Sequence, residues 1–145
     1  MNKKQNIKET IPFLKISDME ISLEFYIKGL GFEILHSWTP DGKIQWCQLK
    51  RGAGSLMLQK GKNMKPNKET SSRKENLGIS IYFICQDALK IYEELVENGI
   101  DATEPFVSNN MWLTIINDPD GYEINFESAT DVSEETRLSE WKEKK

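Results

Sequence analysis

The chain has 145 residues, enough for one domain with a buried core. Hydrophobic residues make up 38% and charged residues 29%, a balance typical of globular proteins and not of disordered or fibrous ones. The net charge of −4 argues against nucleic-acid binding, and no apolar run approaches the roughly 20 residues that cross a membrane.

The cellular setting is predicted from the cysteines and the first residues. Cys47 and Cys85 are isolated and lack the spacing of a metal site, and a core of this size needs no disulfide. Residues 1–10 are polar and lack the apolar stretch of a secretory signal. We therefore expect reduced thiols and a cytoplasmic protein.

The first half of the chain predicts one strand, one helix and three further strands. Asp18 is placed to cap the helix, and Gly29-Leu30-Gly31 is placed to end it. Turn residues separate the β-like runs that follow. The predicted strands are residues 11–17, 32–38, 43–50 and 55–59.

The second half repeats this order after a polar, lysine-rich stretch at residues 61–76, which predicts a linker. Asp87 is placed to cap its helix, and Asn98-Gly99 to end it. The predicted strands are residues 77–85, 100–107, 111–117 and 122–127. We thus expect one domain over residues 1–145, with a first module at about 10–60 and a second at about 77–128.

The C-terminal segment, residues 131–145, predicts a short terminal helix. Asp131 or Ser133 is expected to cap it, and Leu138 and Trp141 are expected to lie on the body or on a second subunit.

Two stretches carry a family resemblance: IPFLKISDMEISLEFYIKGLGFEI opens the first module, and DPDGYEINF closes the second. With the repeat, they resemble the vicinal oxygen chelate superfamily, which includes glyoxalase I, extradiol dioxygenases and the fosfomycin- and bleomycin-resistance proteins. The resemblance covers residues 10–128. It implies an α+β fold in which two βαβββ modules form a curled mixed sheet around a cavity, with the helices outside.

The same resemblance locates the family's metal ligands, which are His, Glu or Gln at four positions. In this sequence the four positions are occupied by non-ligating or weakly ligating residues, namely Ile11, Met57, Ser80 and Asn125. A register slip would bring in Gln59, Glu123 or Glu127 without a complete set. We therefore expect no metal and no other cofactor.

Other catalytic groups are also sparse. The single histidine, His36, matches no ligand position and is expected to be a partly exposed strand residue. Cys47 and Cys85 have no histidine partner in view, so buried, inert thiols are expected. Glu123 and Glu127 could act as a base and its partner, although carboxylates lining a wet pocket are more common.

Strand parity predicts the lining of the cavity. Aromatic rings with a few polar groups are typical of small-molecule sites, and cations bind well over aromatic faces near carboxylates. The predicted ligand-binding residues are Phe13, Trp38, Trp46, Gln48, Met57, Gln59, Tyr82, Trp112, Glu123 and Asn125.

Three functions remain open at this point. The first is a metal-free binding protein of the bleomycin-resistance type, a homodimer that sequesters an aromatic or cationic ligand and could confer antibiotic resistance. The second is a divalent-metal-dependent lyase, isomerase or dioxygenase with an atypical site. The third is a regulatory or interaction subunit that uses the C-terminal helix and the linker as contacts.

Overall fold

The two predicted modules form two sheets with the same strand order. The computed structural model describes residues 3–64 and 78–144. Sheet A contains four strands, ordered β1-β4-β3-β2: β1 Phe13–Ile16, β2 Glu33–Trp38, β3 Trp46–Arg51 and β4 Gly54–Lys60. Sheet B contains four strands, ordered β5-β8-β7-β6: β5 Ser80–Ile84, β6 Phe106–Ser108, β7 Met111–Asn117 and β8 Glu123–Ala129.

Each module pairs its first and last strands in parallel and the others antiparallel. The repeated connectivity confirms the predicted α+β fold of two βαβββ modules. The linker predicted at residues 61–76 lies outside the described residues from residue 65 onward.

The helices begin at the predicted caps. In the first module, α1 (Met19–Leu23) continues as a π-helical segment, Glu24–Gly29, and Asp18 Oδ1 accepts from the Ile21 N–H at 3.1 Å. In the second, α2 (Ala88–Glu97) begins where Asp87 Oδ1 accepts from the Lys90 N–H at 3.1 Å. In both cases a carboxylate satisfies an N–H that the helix leaves without a partner. No helix among the described residues is long and apolar enough to span a membrane.

Two sequence predictions about the second module are wrong. The strand predicted at residues 100–107 is reduced to β6, because the chain before it runs as a loop whose Thr103 hydroxyl accepts from the Ile115 N–H at 2.9 Å. The C-terminal helix α3 begins at Leu138 and not after Asp131 or Ser133. The preceding residues lie beside β6, where the Val107 N–H donates to the Thr136 carbonyl at 2.9 Å. Backbone pairing at the sheet edge outweighs the local capping signal.

One core joins the modules. The helices and one face of each sheet bury apolar side chains against each other, including Leu14, Ile16, Tyr26, Leu30, Leu49, Leu56, Leu58, Leu95, Ile116, Ile124 and Phe126. Gly29 lets the first helix approach the second module closely, since a Cβ at that position would stand 2.7 Å from the Ile100 side chain. The faces turned away from the helices, here called the open faces, remain outside this core.

Two turns also cross between the modules. The turn after β3 places Arg51 to donate to the Leu30 carbonyl at 2.7 Å and to Glu94 of α2 at 2.9 Å. The turn after β7 places Asp118 to accept from the Tyr26 hydroxyl at 2.7 Å. The neighbouring Asp120 carboxylate accepts from the Ser17 N–H at 3.1 Å. Each module is therefore tied to the other through equivalent turns.

Candidate ligand-binding site

Strand register identifies the side chains on the open face of sheet A. Residues that pair across neighbouring strands share a face, and alternate residues along a strand face opposite sides. One cross-strand row on this face runs Phe13–Met57–Gln48–His36, and the next runs Lys15–Gln59–Trp46–Trp38. All six residues predicted for the first module therefore lie on one face.

The exposure of the two faces follows the same alternation. Leu14 and Ile16 are buried in the core, whereas Phe13 between them is 50% exposed. Trp38, at the outer end of its row, is 55% exposed. Gln48 is buried and donates from Nε2 to Ser55 Oγ at 3.0 Å. The open face thus offers exposed aromatic surface around a hydrogen-bonded polar centre.

His36 is a residue of this face that the sequence prediction left out. It matches none of the family's metal positions, but it lies opposite Gln48 in the first row. Strand parity with Trp38 was the available signal, because the register irregularity of β2 lies between Ile34 and His36 and leaves the alternation from His36 to Trp38 intact.

The open face of sheet B is richer in oxygen acceptors. One row runs Ser80–Glu123–Asn117, the next runs Tyr82–Asn125–Ile115, and a third runs Ile84–Glu127–Leu113. Tyr82, Glu123 and Asn125 are therefore on one face, as predicted. Asn117 was not predicted, because its position at the end of β7 and beside the turn gave no distinctive signal.

Four polar residues of this face are called the acceptor cluster: Ser80, Glu123 and Asn125, which are hydrogen-bonded together, and Asn117, which pairs with Glu123 across β7 and β8. Ser80 Oγ donates to Glu123 Oε2 at 2.5 Å, and Asn125 Nδ2 donates to the same oxygen at 3.2 Å. Asn125 Nδ2 also donates to the Ile81 carbonyl at 3.3 Å. These contacts fix which end of the Asn125 amide is the carbonyl, because both partners of Nδ2 are acceptors.

Two amide oxygens of the acceptor cluster have no donor among the described residues. Asn125 is 1% exposed, and its Oδ1 is buried and unpartnered, as is Oδ1 of Asn117. An unsatisfied buried acceptor costs about 1–3 kcal/mol, so such groups are uncommon in folded proteins. Both oxygens belong to residues on the same face of sheet B.

Trp112 does not belong to either open face, so its predicted role in the cavity lining is wrong. Its cross-strand partner is Ser128, whose hydroxyl accepts from the Ala88 N–H at the start of α2, on the helix side of sheet B. Trp112 is 4% exposed and packs edge-on against Trp141 with 5.6 Å between ring centroids. Trp112 anchors α3 to the sheet. This contact depends on the position of the C-terminal helix, which the sequence of β7 alone does not indicate.

The residues at the family's metal positions do not fit a divalent ion. Met57 is on sheet A, whereas Ser80 and Asn125 are on sheet B, where both donate to the Glu123 carboxylate. Asn125 turns its N–H₂ group toward the Glu123 carboxylate and so offers a metal only one neutral amide oxygen, which is a weak ligand. Among residues 3–64 and 78–144, no three His, Cys, Asp or Glu side chains are grouped closely enough to hold a metal.

The thiols are held in the unreactive form. Burial raises the pKa of Cys47 to about 11, and burial also raises the pKa of Cys85. A thiol needs the thiolate form to act as a nucleophile, so neither environment activates its cysteine.

Clefts within the single chain include few of the predicted ligand-binding residues. Among the clefts that the described residues form are four of about 320 to 600 Å³. Tyr82 is the predicted ligand-binding residue that lines one of these four, and Asn117 of the acceptor cluster lines another. The open faces are exposed surfaces and not enclosed volumes. A second surface must cover them before they can enclose a ligand.

The chain consists of two βαβββ modules, and each module leaves one sheet face open. This is the fold class that the sequence resembles. The chain belongs to the Glyoxalase/Bleomycin resistance protein/Dioxygenase superfamily, whose sequence profile matches residues 12–126. A comparison with curated proteins gave no match.

Solved structures show the same fold at low sequence identity. TnmS3, an antibiotic-binding protein from Streptomyces sp. CB03234, superimposes with a TM-score of 0.65 at 22% identity, covering 86% of this chain and 98% of its own. A bleomycin-binding protein complexed with bleomycin gives a TM-score of 0.65 at 19% identity, covering 84% and 98%. The glyoxalase family protein from Enterococcus faecalis gives a TM-score of 0.63 at 23% identity, covering 85% of this chain and 97% of its own.

Proposed function

We propose that this protein binds a small aromatic or cationic molecule, such as an antibiotic, without a metal, and acts by sequestration and not by catalysis. The observation that carries the proposal is the gathering of Phe13, Trp46 and Trp38 with polar neighbours on the open face of sheet A. Flat rings and amphipathic side chains suit aromatic ligands. Antibiotic binding by TnmS3 and by the bleomycin-binding protein supports the same class of ligand.

The proposed binding form is a homodimer. Both open faces expose large apolar side chains, among them Phe13, Trp38, Tyr82 and Ile84. The open face of sheet A carries Lys15 and Lys50 against Glu33, whereas that of sheet B carries Glu123 and Glu127. This complementarity favours sheet A of one copy opposite sheet B of the second, which encloses two sites. Two free thiols suit a reducing compartment such as the cytoplasm.

Tryptophan fluorescence tests the binding surface. Bleomycin and 4-(aminomethyl)biphenyl are titrated into the wild type, Trp46→Phe and Trp112→Phe, with the molar mass measured by light scattering. We expect a dimer, a fluorescence change on binding and at least tenfold weaker binding in Trp46→Phe. Trp112→Phe is the matched control, because its ring lies on the helix side.

Three results would contradict the proposal. Binding that is unchanged by Trp46→Phe would remove the open face of sheet A from the site. A monomer that binds neither compound would exclude the dimeric site. Elemental analysis that finds a stoichiometric divalent metal in the purified protein would favour the metal-dependent lyase, isomerase or dioxygenase.

A further inference from the structure

We infer that the acceptor cluster on sheet B is a seat for an N–H donor group of the ligand, an ammonium or amidinium cation. This inference rests on the proposed function, since it names the chemical group that the same dimeric site recognises. The aromatic part of such a ligand would lie against the open face of sheet A of the second copy.

The donors and acceptors within the cluster do not balance. Glu123 Oε2 already accepts from Ser80 Oγ and from Asn125 Nδ2. No hydrogen bond among the described residues uses Glu123 Oε1, and Oδ1 of Asn125 and of Asn117 is buried and unpartnered. Three oxygens therefore lack a donor, and an ammonium or amidinium group brings several N–H donors to one place.

The charge of the cluster has the matching sign. Glu123 contributes one negative charge, and none of the ion pairs formed among the described residues includes it. Glu127 lies two residues further along β8 on the same face. Charge-assisted hydrogen bonds to a carboxylate are stronger than neutral ones, so a cationic donor is favoured over a hydroxyl.

A divalent metal suits the cluster less well than an organic cation. Calcium takes six to eight oxygens, commonly from several carboxylates, whereas this cluster offers a single carboxylate and two neutral amide oxygens. An anion is disfavoured, because Glu123 carries a negative charge and the three oxygens without donors are acceptors.

Tyr82 supplies the side of the seat. It pairs with Asn125 across β5 and β8, and its side chain is 52% exposed on the same face. A tyrosine ring beside a cation adds a favourable cation–π contact. The ring and the oxygens together select a cation attached to a ligand that can also stack.

A pair of compounds that differ in one group tests the seat. Binding of 4-(aminomethyl)biphenyl and 4-(hydroxymethyl)biphenyl to the purified protein is measured by calorimetry at pH 7, where the amine is protonated. We expect the wild type to prefer the amine by at least about tenfold, the ratio that one strong charge-assisted hydrogen bond supplies. Glu123→Gln should bring the ratio close to one, because it removes the negative charge.

Two further variants test whether the preference for the amine arises at the acceptor cluster and not from the overall charge of the protein. Glu97→Gln, at the exposed end of α2, removes the same charge far from the open faces and should keep the wild-type preference. Asn117→Ala removes one unpartnered acceptor oxygen, keeps the charge of the cluster and should lower the preference for the amine. This variant also provides the test if Glu123→Gln does not fold.

The possible outcomes show whether the cation site alone fails or the proposed binding function fails as well. Equal binding of the two compounds would overturn the seat and leave the proposed binding function intact. Binding of neither compound would contradict the proposed function and the seat with it. Calorimetric binding of calcium or manganese chloride alone, lost in Glu123→Gln, would assign the cluster to an inorganic cation and overturn the organic one.

Discussion

The open faces of the two sheets occupy equivalent places in a repeated fold, yet their side chains differ in kind. The face of sheet A carries Phe13, Trp46 and Trp38 with two lysines, whereas the face of sheet B carries a cluster of acceptors around Glu123. The repeat preserves strand order and helix caps because they define the fold. The open faces do not contribute to the common core, so they are free to acquire different chemistry.

The largest expected effect on stability comes from the helix-side face of sheet B. Trp112→Ala should lower the free energy of unfolding by about 3–5 kcal/mol, because it removes a buried ring from the contact with Trp141. Trp38→Ala should lower it by less than about 1 kcal/mol, since Trp38 is half exposed on the open face. Urea denaturation of the two variants measures both effects. Equal losses would mean that the two faces are not distinguished by burial.

The second test concerns the turn after β7. Burial raises the pKa of Asp118 to about 6 in the folded chain, compared with 3.8 as the ordinary value. Because the folded state then binds the proton more tightly, this group adds stability as the pH falls from about 6 to about 4. The full change is roughly 3 kcal/mol.

Denaturation of the wild type and Asp118→Asn at several pH values isolates this contribution. The stability of the wild type relative to Asp118→Asn should increase as the pH is lowered from 7 to 4. A relative stability that decreases over the same range would reverse the sign and show that the hydrogen bonds from Tyr26 and the turn N–H groups dominate over burial.

The smallest expected losses in the free energy of unfolding come from variants in the two turns that cross between the modules. Tyr26→Phe leaves the buried Asp118 Oδ2 without its hydroxyl donor and should cost about 1–3 kcal/mol. Glu94→Gln weakens the ion pair with Arg51, whose side chain is about a third exposed, and should cost less than about 1 kcal/mol. Thermal unfolding of both variants compares the turns directly. A larger loss in Glu94→Gln would show that the turn after β3 is the stronger link.

Much of the fold was predictable from short-range patterns. Asp18 and Asp87 precede the helices because a carboxylate at that position accepts a helix N–H, and alternation in β1, β4 and β8 sorts the two faces of each sheet. Nine of the ten predicted site residues lie on open faces for this reason. The tenth, Trp112, faces the helices, and strand alternation gives no sign of which side the C-terminal helix covers.

The sequence by itself determined the repeat, the helix caps and the types of residue at the family's metal positions, because each is encoded by neighbouring residues. Tertiary structure alone decided that Asn117 joins Glu123 and Asn125, since the three lie on two strands and meet through register. It also decided that two of their oxygens stay without donors, because the supply of partners in a buried place depends on everything packed around it.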